Sequence, residues 1–162
     1  MILGRITGKA STTKFSFEVS GEAKKFQYVQ VHHKEHEYVL CQIIELVTDY
    51  EKTTAYCNII GYKDQNNIMQ IRTPFEINME VLSAENSMIE SILANNSKNA
   101  AFIGTLEGRD IKVNLDLQQL LTKHIAVLAK SGSGKSYAVS VLIEEILEKN
   151  LPIVVIDPHG EY

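Results

Sequence analysis

Residues 129–136 read Ala-Lys-Ser-Gly-Ser-Gly-Lys-Ser, a spacing suited to holding the phosphates of a nucleotide. Gly132 and Gly134 free the backbone to aim successive N–H groups at a common centre, where they form a nest for an anion. Lys135 adds a mobile point charge that can bridge β- and γ-phosphate oxygens, and the Ser136 hydroxyl is a ligand for Mg²⁺. The segment fits GxxxxGK[ST] except that Ala129 replaces the first glycine, a position that mainly needs a small residue. Ser131 and Ser133 complete the loop, and Tyr137 supplies the next backbone donor. The chemistry implied is binding of ATP with Mg²⁺, with Lys135 as the first catalytic candidate. A Ser/Gly-rich turn without function is the bland alternative, and it does not explain why strand, loop and helix patterns fall in the order the mechanism needs.

A second group of ionisable residues follows four apolar ones: Ile153, Val154, Val155 and Ile156 precede Asp157, His159 and Glu161. This imitates a Walker B strand. Only one helix separates it from the loop, however, and Pro158 rather than a glutamate follows Asp157. The segment reads instead as a strand ending on the edge where α/β proteins bind ligands. Asp157 is then a metal-side carboxylate, and Glu161 a catalytic candidate that orients water or the groups around the metal. Elsewhere, His32, His33 and His36 lie among Lys34, Glu35 and Glu37, which reads as a solvated hairpin tip rather than a metal site. His124 reads as a hydrogen-bonded structural histidine beside the loop, with contact to nucleotide or to a neighbouring subunit as the alternative. Cys41 and Cys57 sit in apolar, β-branched stretches without zinc spacing, as buried reduced thiols do, with a cross-strand disulfide as the alternative.

The elements that must position these residues follow from periodicity. Residues 125–128 form a compact apolar run, expected as a strand buried on both faces that leads straight into the loop. Residues 135–149 are expected as a helix with Val141, Leu142, Ile146 and Leu147 on its apolar face, Asn150 as a left-handed C-cap and Pro152 preventing continuation. Residues 153–156 would be a second buried strand, completing a β-α-β unit. Upstream, residues 14–19, 26–31, 38–47 and 54–62 read as short strands separated by polar turns at 21–23, 32–37 and 48–53. Phe15, Phe17 and Val19 share one side, as do Tyr28 and, less strictly, Phe26 and Gln30. This alternation favours core packing over base stacking for the aromatic residues.

Met88, Ile89, Ile92 and Leu93 then recur at helical spacing, with Ser87 and Glu90 in a capping-box pattern. Residues 94–100 mark a boundary, residues 102–106 and 111–115 a hairpin turning at 107–110, and Asp116 caps a single helical turn. The expected fold is an α+β two-part chain. A small antiparallel β-barrel (1–82) and a helical linker (83–100) precede the beginning of an α/β P-loop domain (101–162).

Of 162 residues, 44% are apolar, enough for a real core. A net charge of −4 argues against gripping nucleic acid by bulk electrostatics, although a ring can line a central channel with only a few lysines or arginines. No apolar run approaches the roughly 20 residues that cross a bilayer, and residues 1–9 lack the apolar core of a signal peptide, so a cytoplasmic location is the default expectation.

The run KHIAVLAKSGSGKSYAVSVLIEEILEKNLPIVVIDPHGEY closely resembles HerA-type ATPases, archaeal and bacterial hexameric DNA translocases related to FtsK. The order barrel, short helical linker and RecA-like motor is shared with that family, strongly from Lys123 onward and weakly in the barrel. The resemblance implies a homo-hexameric ring that uses ATP and Mg²⁺ to pump duplex DNA, working with a nuclease and a Mre11 and Rad50 pair in end resection. It assigns nucleotide binding to Gly132, Ser133, Gly134, Lys135, Ser136 and Tyr137, and places Lys123 where relatives often carry a basic residue close to nucleotide. It also implies that the Walker B Asp-Glu pair, the polar sensor and the arginine finger lie beyond Tyr162, so residues 1–162 alone are expected to be catalytically silent. Two other readings share these residues: a conjugation- or secretion-type motor ATPase, and a nonenzymatic nucleotide-sensing adaptor.

Overall fold

Alternating apolar and polar residues build an antiparallel sheet from β1 (Ile2–Thr7), β2 (Lys14–Val19), β3 (Tyr28–His33), β4 (Glu37–Asp49), β5 (Lys52–Asp64), β6 (Asn67–Met69) and β7 (Glu80–Ser83). In this computed structural model, which describes residues 1–65, 67–93, 97 and 99–161, the strand order is β2-β1-β7-β3-β4-β5, and β5 pairs again with β2. The sheet thus closes into a six-stranded barrel with no free edge among those strands, and β6 extends from β5. Phe17 lies opposite Ile6 on one neighbour and Ala55 on the other, and all three are buried. Phe15 packs edge-on against Phe75 at 5.3 Å between ring centres. Gly4 allows β1 and β2 to close up, since a Cβ there would sit 2.0 Å from the Glu18 carbonyl oxygen.

The strand over 26–31 starts two residues later than expected. Phe26 has φ 68 and is exposed, with the Lys25 ammonium 5.0 Å from its ring centre. Val29, Val31 and His33 are the residues of β3 in the core. Gln30 is buried on the other side, where its Oε1 accepts the Glu85 amide at 3.1 Å. Core packing also describes only some of the aromatic residues: Phe15, Phe17 and Phe75 are buried, whereas Tyr38, Tyr50 and Tyr56 are exposed. The strand period puts the tyrosines on the outer face or, for Tyr50, in the β4–β5 turn.

Helix α1 (Asn86–Leu93) buries Ile89 and Ile92. The Ile89 amide donates to the Glu85 carbonyl at 3.1 Å, so the helix begins right after Glu85. Ser87 therefore lies inside the first turn, and the expected Ser87–Glu90 capping box is not the cap. The chain divides into two compact units, Met1–Ile92 and Leu93–Tyr162. Of the boundary expected at 94–100, positions 94–96 and 98 lie outside the described residues.

In the second unit β8 (Ala100–Thr105) and β9 (Lys112–Asp116) form the expected hairpin. It leads into α2 (Leu117–Leu121), capped as expected by Asp116, whose carboxylate accepts the Gln119 amide at 3.1 Å. Helix α3 (Lys135–Glu148) packs Ile146 against Ala101 and Leu117, with Leu142 and Leu120 alongside. Glu145 ties the helix to the hairpin by accepting the Phe102 amide at 2.9 Å. The end of α3 follows its sequence: Asn150 has φ 56, its amide donates to Leu147, and the Leu151 amide donates back to Ile146, the two bonds of a Schellman motif.

Three expectations fail in this unit. Residues 125–128 and 153–156 carry no strand ladder, and their apolar side chains are not buried on both faces: Leu128, Val154 and Ile156 are 91%, 89% and 88% exposed. Leu147, assigned to the apolar face of α3, is also exposed. A parallel strand is made by its neighbours, and two isolated apolar runs with no paired strand beside them gain nothing from extending into a sheet.

Candidate nucleotide-binding site

The loop before α3 is shaped by its own backbone. The Lys130 carbonyl accepts both the amide and the hydroxyl of Ser133, at 3.2 and 2.7 Å, which closes a tight turn around Ser131 and Gly132. Gly132 (φ 77) and Gly134 (φ 88) both lie in the left-handed region, and a Cβ at either would meet no atom within 4 Å. Glycine is therefore required by backbone conformation and not by crowding, and the space beside the loop is open. Gly134 is the N-cap of α3 and has no side-chain hydrogen bond to offer; the first helical bond runs from the Ala138 amide to its carbonyl at 3.0 Å. The amides of Lys135, Ser136 and Tyr137 have no carbonyl within the helix to bond, so they present donors at its positive end. Ser131, Gly132, Ser133, Gly134, Lys135 and Tyr137 are exposed, and Ser136 is half-buried.

The segment after α3 comes back to this helix start. Asp157 Oδ1 accepts the amides of His159 (3.2 Å) and Gly160 (3.0 Å), and Gly160 has φ 68. This turn brings Glu161 to Ser136, whose hydroxyl donates to Glu161 Oε2 at 2.6 Å. Lys123 follows α2, its amide donating to the Leu120 carbonyl at 3.4 Å, and both Lys123 and His124 are exposed. The start of α3 thus offers unpaired amides, the lysine of position 135, and the Ser136 hydroxyl with the Glu161 carboxylate beside it. That chemistry fits the phosphates of a nucleotide with a hard divalent cation.

The family described as "Helicase HerA, central domain" matches residues 100–162. The "Probable DNA double-strand break repair helicase HerA" of Methanocaldococcus jannaschii is 36% identical over 163 residues, covering 100% of this chain and 32% of that protein. This chain is of HerA type. The "DNA double-strand break repair helicase HerA" of Pyrococcus furiosus is 35% identical over 120 residues, 73% of this chain and 21% of that protein. The corresponding protein of Saccharolobus solfataricus is 37% identical over 79 residues, 49% of this chain and 15% of that protein. The HerA-type chain thus spans about a third or less of the length of these relatives.

The histidine cluster of the HerA-type barrel differs from the expected solvated tip. Lys34 and Glu35 are exposed, but His33 is 2% exposed and packs on Phe75 at 5.6 Å, while His36 stacks on Tyr62 at 3.9 Å. The period of two that buries Val29 and Val31 carries His33 inward as well. Ligand atoms of His33, Glu35 and His36 lie within 4.8 Å of one another, yet both ring nitrogens of His33 are engaged. Nε2 lies 3.0 Å from the Thr73 carbonyl, to which it can only donate, and Nδ1 accepts the Glu35 amide at 3.2 Å. A neutral imidazole bonded in this way has no lone pair left for a metal. Cys41 and Cys57 are buried free thiols, as their apolar surroundings require. Burial, then the neighbouring Cys57, pushes the Cys41 thiol well up, and burial pushes Cys57 up to about 12.

Proposed function

We propose that this chain is the ATP-binding front part of a HerA-type motor, a homo-hexameric ring that couples ATP hydrolysis to movement on duplex DNA during the processing of DNA ends. The observation that carries the reading is the pair of left-handed glycines, Gly132 and Gly134, opening α3 directly before Lys135 and Ser136. The relatives' printed names, which speak of double-strand break repair helicases, support DNA as the substrate.

In this reading, residues 1–82 form a barrel for ring assembly or partner docking, residues 83–100 a linker, and residues 101–162 the first part of the motor domain. Ser131, Gly132, Ser133, Gly134, Lys135, Ser136 and Tyr137 enclose the phosphates, with Lys123 close to the nucleotide. Lys135 serves catalysis directly and Glu161 by orienting water or the groups around the metal, while Ser136 and Asp157 serve Mg²⁺. The ion would supply charge neutralisation between β- and γ-phosphate oxygens. A nuclease and a Mre11 and Rad50 pair are the partners, and the cytoplasm the location; no helix among the described residues is long and apolar enough to cross a membrane.

The test is ATP turnover by the full-length protein with and without duplex DNA. Duplex DNA is expected to stimulate hydrolysis, and Lys135→Ala to abolish nucleotide binding or turnover. Unchanged turnover in the lysine variant would remove the site assignment. Stimulation by a protein substrate instead of DNA would favour a secretion-type motor, and binding without turnover a nucleotide-sensing adaptor.

A further inference from the structure

We infer that Glu161 is a positioning residue that orients the Ser136 hydroxyl for the metal ion, and that Asp157 acts by folding the turn that delivers Glu161. The inference rests on the nucleotide-binding reading of residues 131–137 and specifies how one of its side chains is made ready.

A serine hydroxyl carries one proton and two lone pairs, and only a lone pair can face a cation. Left to rotate, the group presents its proton toward the metal in part of its conformations. A carboxylate accepts and never donates, so the 2.6 Å contact from Ser136 Oγ to Glu161 Oε2 commits the proton to Glu161. That distance is in the range of charge-assisted O–H···O⁻ bonds, which are stronger than neutral ones. The lone pairs of Ser136 Oγ are thereby aimed away from Glu161, and the carboxylate raises the electron density of the oxygen that meets the ion.

Glu161 lies 25 residues from Ser136 in sequence and reaches it only because the chain reverses after residue 156. Asp157 makes that reversal by accepting the His159 and Gly160 amides on one oxygen, and Gly160 completes it at φ 68, where a side chain would be strained. Asp157 thus acts on the loop through shape and Glu161 through charge. A glutamate that served only to orient attacking water would have no need of the serine.

The measurement is the affinity of the full-length protein for a fluorescent ATP analogue with and without Mg²⁺, the ratio being the metal coupling. Glu161→Ala is expected to keep the Mg²⁺-free affinity and to lower the coupling about 10- to 100-fold, the usual cost of losing a partner that orients a metal ligand. Glu161→Gln lowers it less, because its amide oxygen still accepts the hydroxyl proton. Gly160→Val, which strains the turn without removing a carboxylate, reproduces the loss seen in Glu161→Ala. Ser136→Ala lowers the coupling by itself, and adding Glu161→Gln to it changes nothing more.

An unchanged coupling in Glu161→Ala overturns the inference. So does an equal effect of Glu161→Gln with and without Ser136→Ala, or a parallel loss of Mg²⁺-free affinity in the Glu161 variants. Lys135→Ala separates the two levels. If it leaves analogue binding intact, the nucleotide reading itself has failed; if it abolishes binding, any failure among the Glu161 variants belongs to this inference alone.

Discussion

Cys57 shows how a single buried group writes itself into the pH dependence of the barrel. Its thiol is pushed from an ordinary value of 9.0 to about 12 by burial, so the unfolded chain loses this proton first as pH rises. The stabilisation is fully present below pH 9 and is lost between pH 9 and about 12. Cys57→Ala is therefore expected to lose stability less steeply than the parent chain over that interval, measured by urea unfolding at several pH values; equal slopes would show that the thiol does not contribute. Residues of this kind were legible in sequence because their apolar neighbours declare burial. The backbone shape of the loop before α3 was equally legible, since Gly132 and Gly134 take the left-handed conformations that their positions in the motif ask for. The bond from Ser136 to Glu161 was not, because it depends on a turn whose closure by Asp157 and Gly160 no spacing rule encodes. His33 was misjudged because its polar neighbours outweighed the period of two, and only the Thr73 carbonyl and the Glu35 amide explain how an imidazole can be buried there.

Among the elements, those whose signals are local were readable and those made by distant partners were not. Strand β2 matches its expected span, Lys14–Val19, because Phe15, Phe17 and Val19 alternate without interruption. The C-terminus of α3 was readable from Asn150, a residue that tolerates the left-handed conformation it adopts. Strand β1 was missed: its register shifts between Ile2 and Gly4 against β7, which breaks the alternation that would reveal it. Strand β7, four residues with Val81 as its fully buried member, gives even less pattern. Gly4 concentrates the barrel's dependence on this hidden strand. A methyl group there would sit 2.0 Å from the Glu18 carbonyl oxygen and 2.7 Å from the Phe17 ring, at the end of the β1–β2 ladder where Gly4 pairs with Val19. Since backbone cannot move aside cheaply, Gly4→Ala is expected to cost at least the roughly 1–3 kcal/mol typical of overpacking. Denaturant unfolding of the chain would register it as a lower midpoint, and an unchanged midpoint would mean that β1 is not held this closely.

At the scale of the whole chain, the two units differ in how their apolar residues are satisfied. The barrel closes on itself, so every strand in it from β1 to β5, together with β7, has a neighbour on both sides and the core is shared by all six. Among the described residues, the second unit has one hairpin, two helices and a small core centred on Ala101, Leu117 and Ile146. Its two apolar runs stay unpaired, with Leu128, Val154 and Ile156 almost fully exposed. Local opening is easiest where few apolar contacts and no ladder hold the backbone, so the units should part company under a protease. Dilute thermolysin, which cuts before apolar residues, is expected to cleave the 162-residue chain first within 125–128 and 151–156. A resistant piece beginning at Met1 and ending near Ile92 should remain. In the full-length protein, where further sheet strands would cover those runs, the same sites should be protected. Early cleavage inside the barrel, or equal resistance of all segments in the short chain, would contradict this division of stability. Protection of 125–128 and 151–156 in the long chain alone would mark both runs as strands that need neighbours supplied from elsewhere in the longer protein.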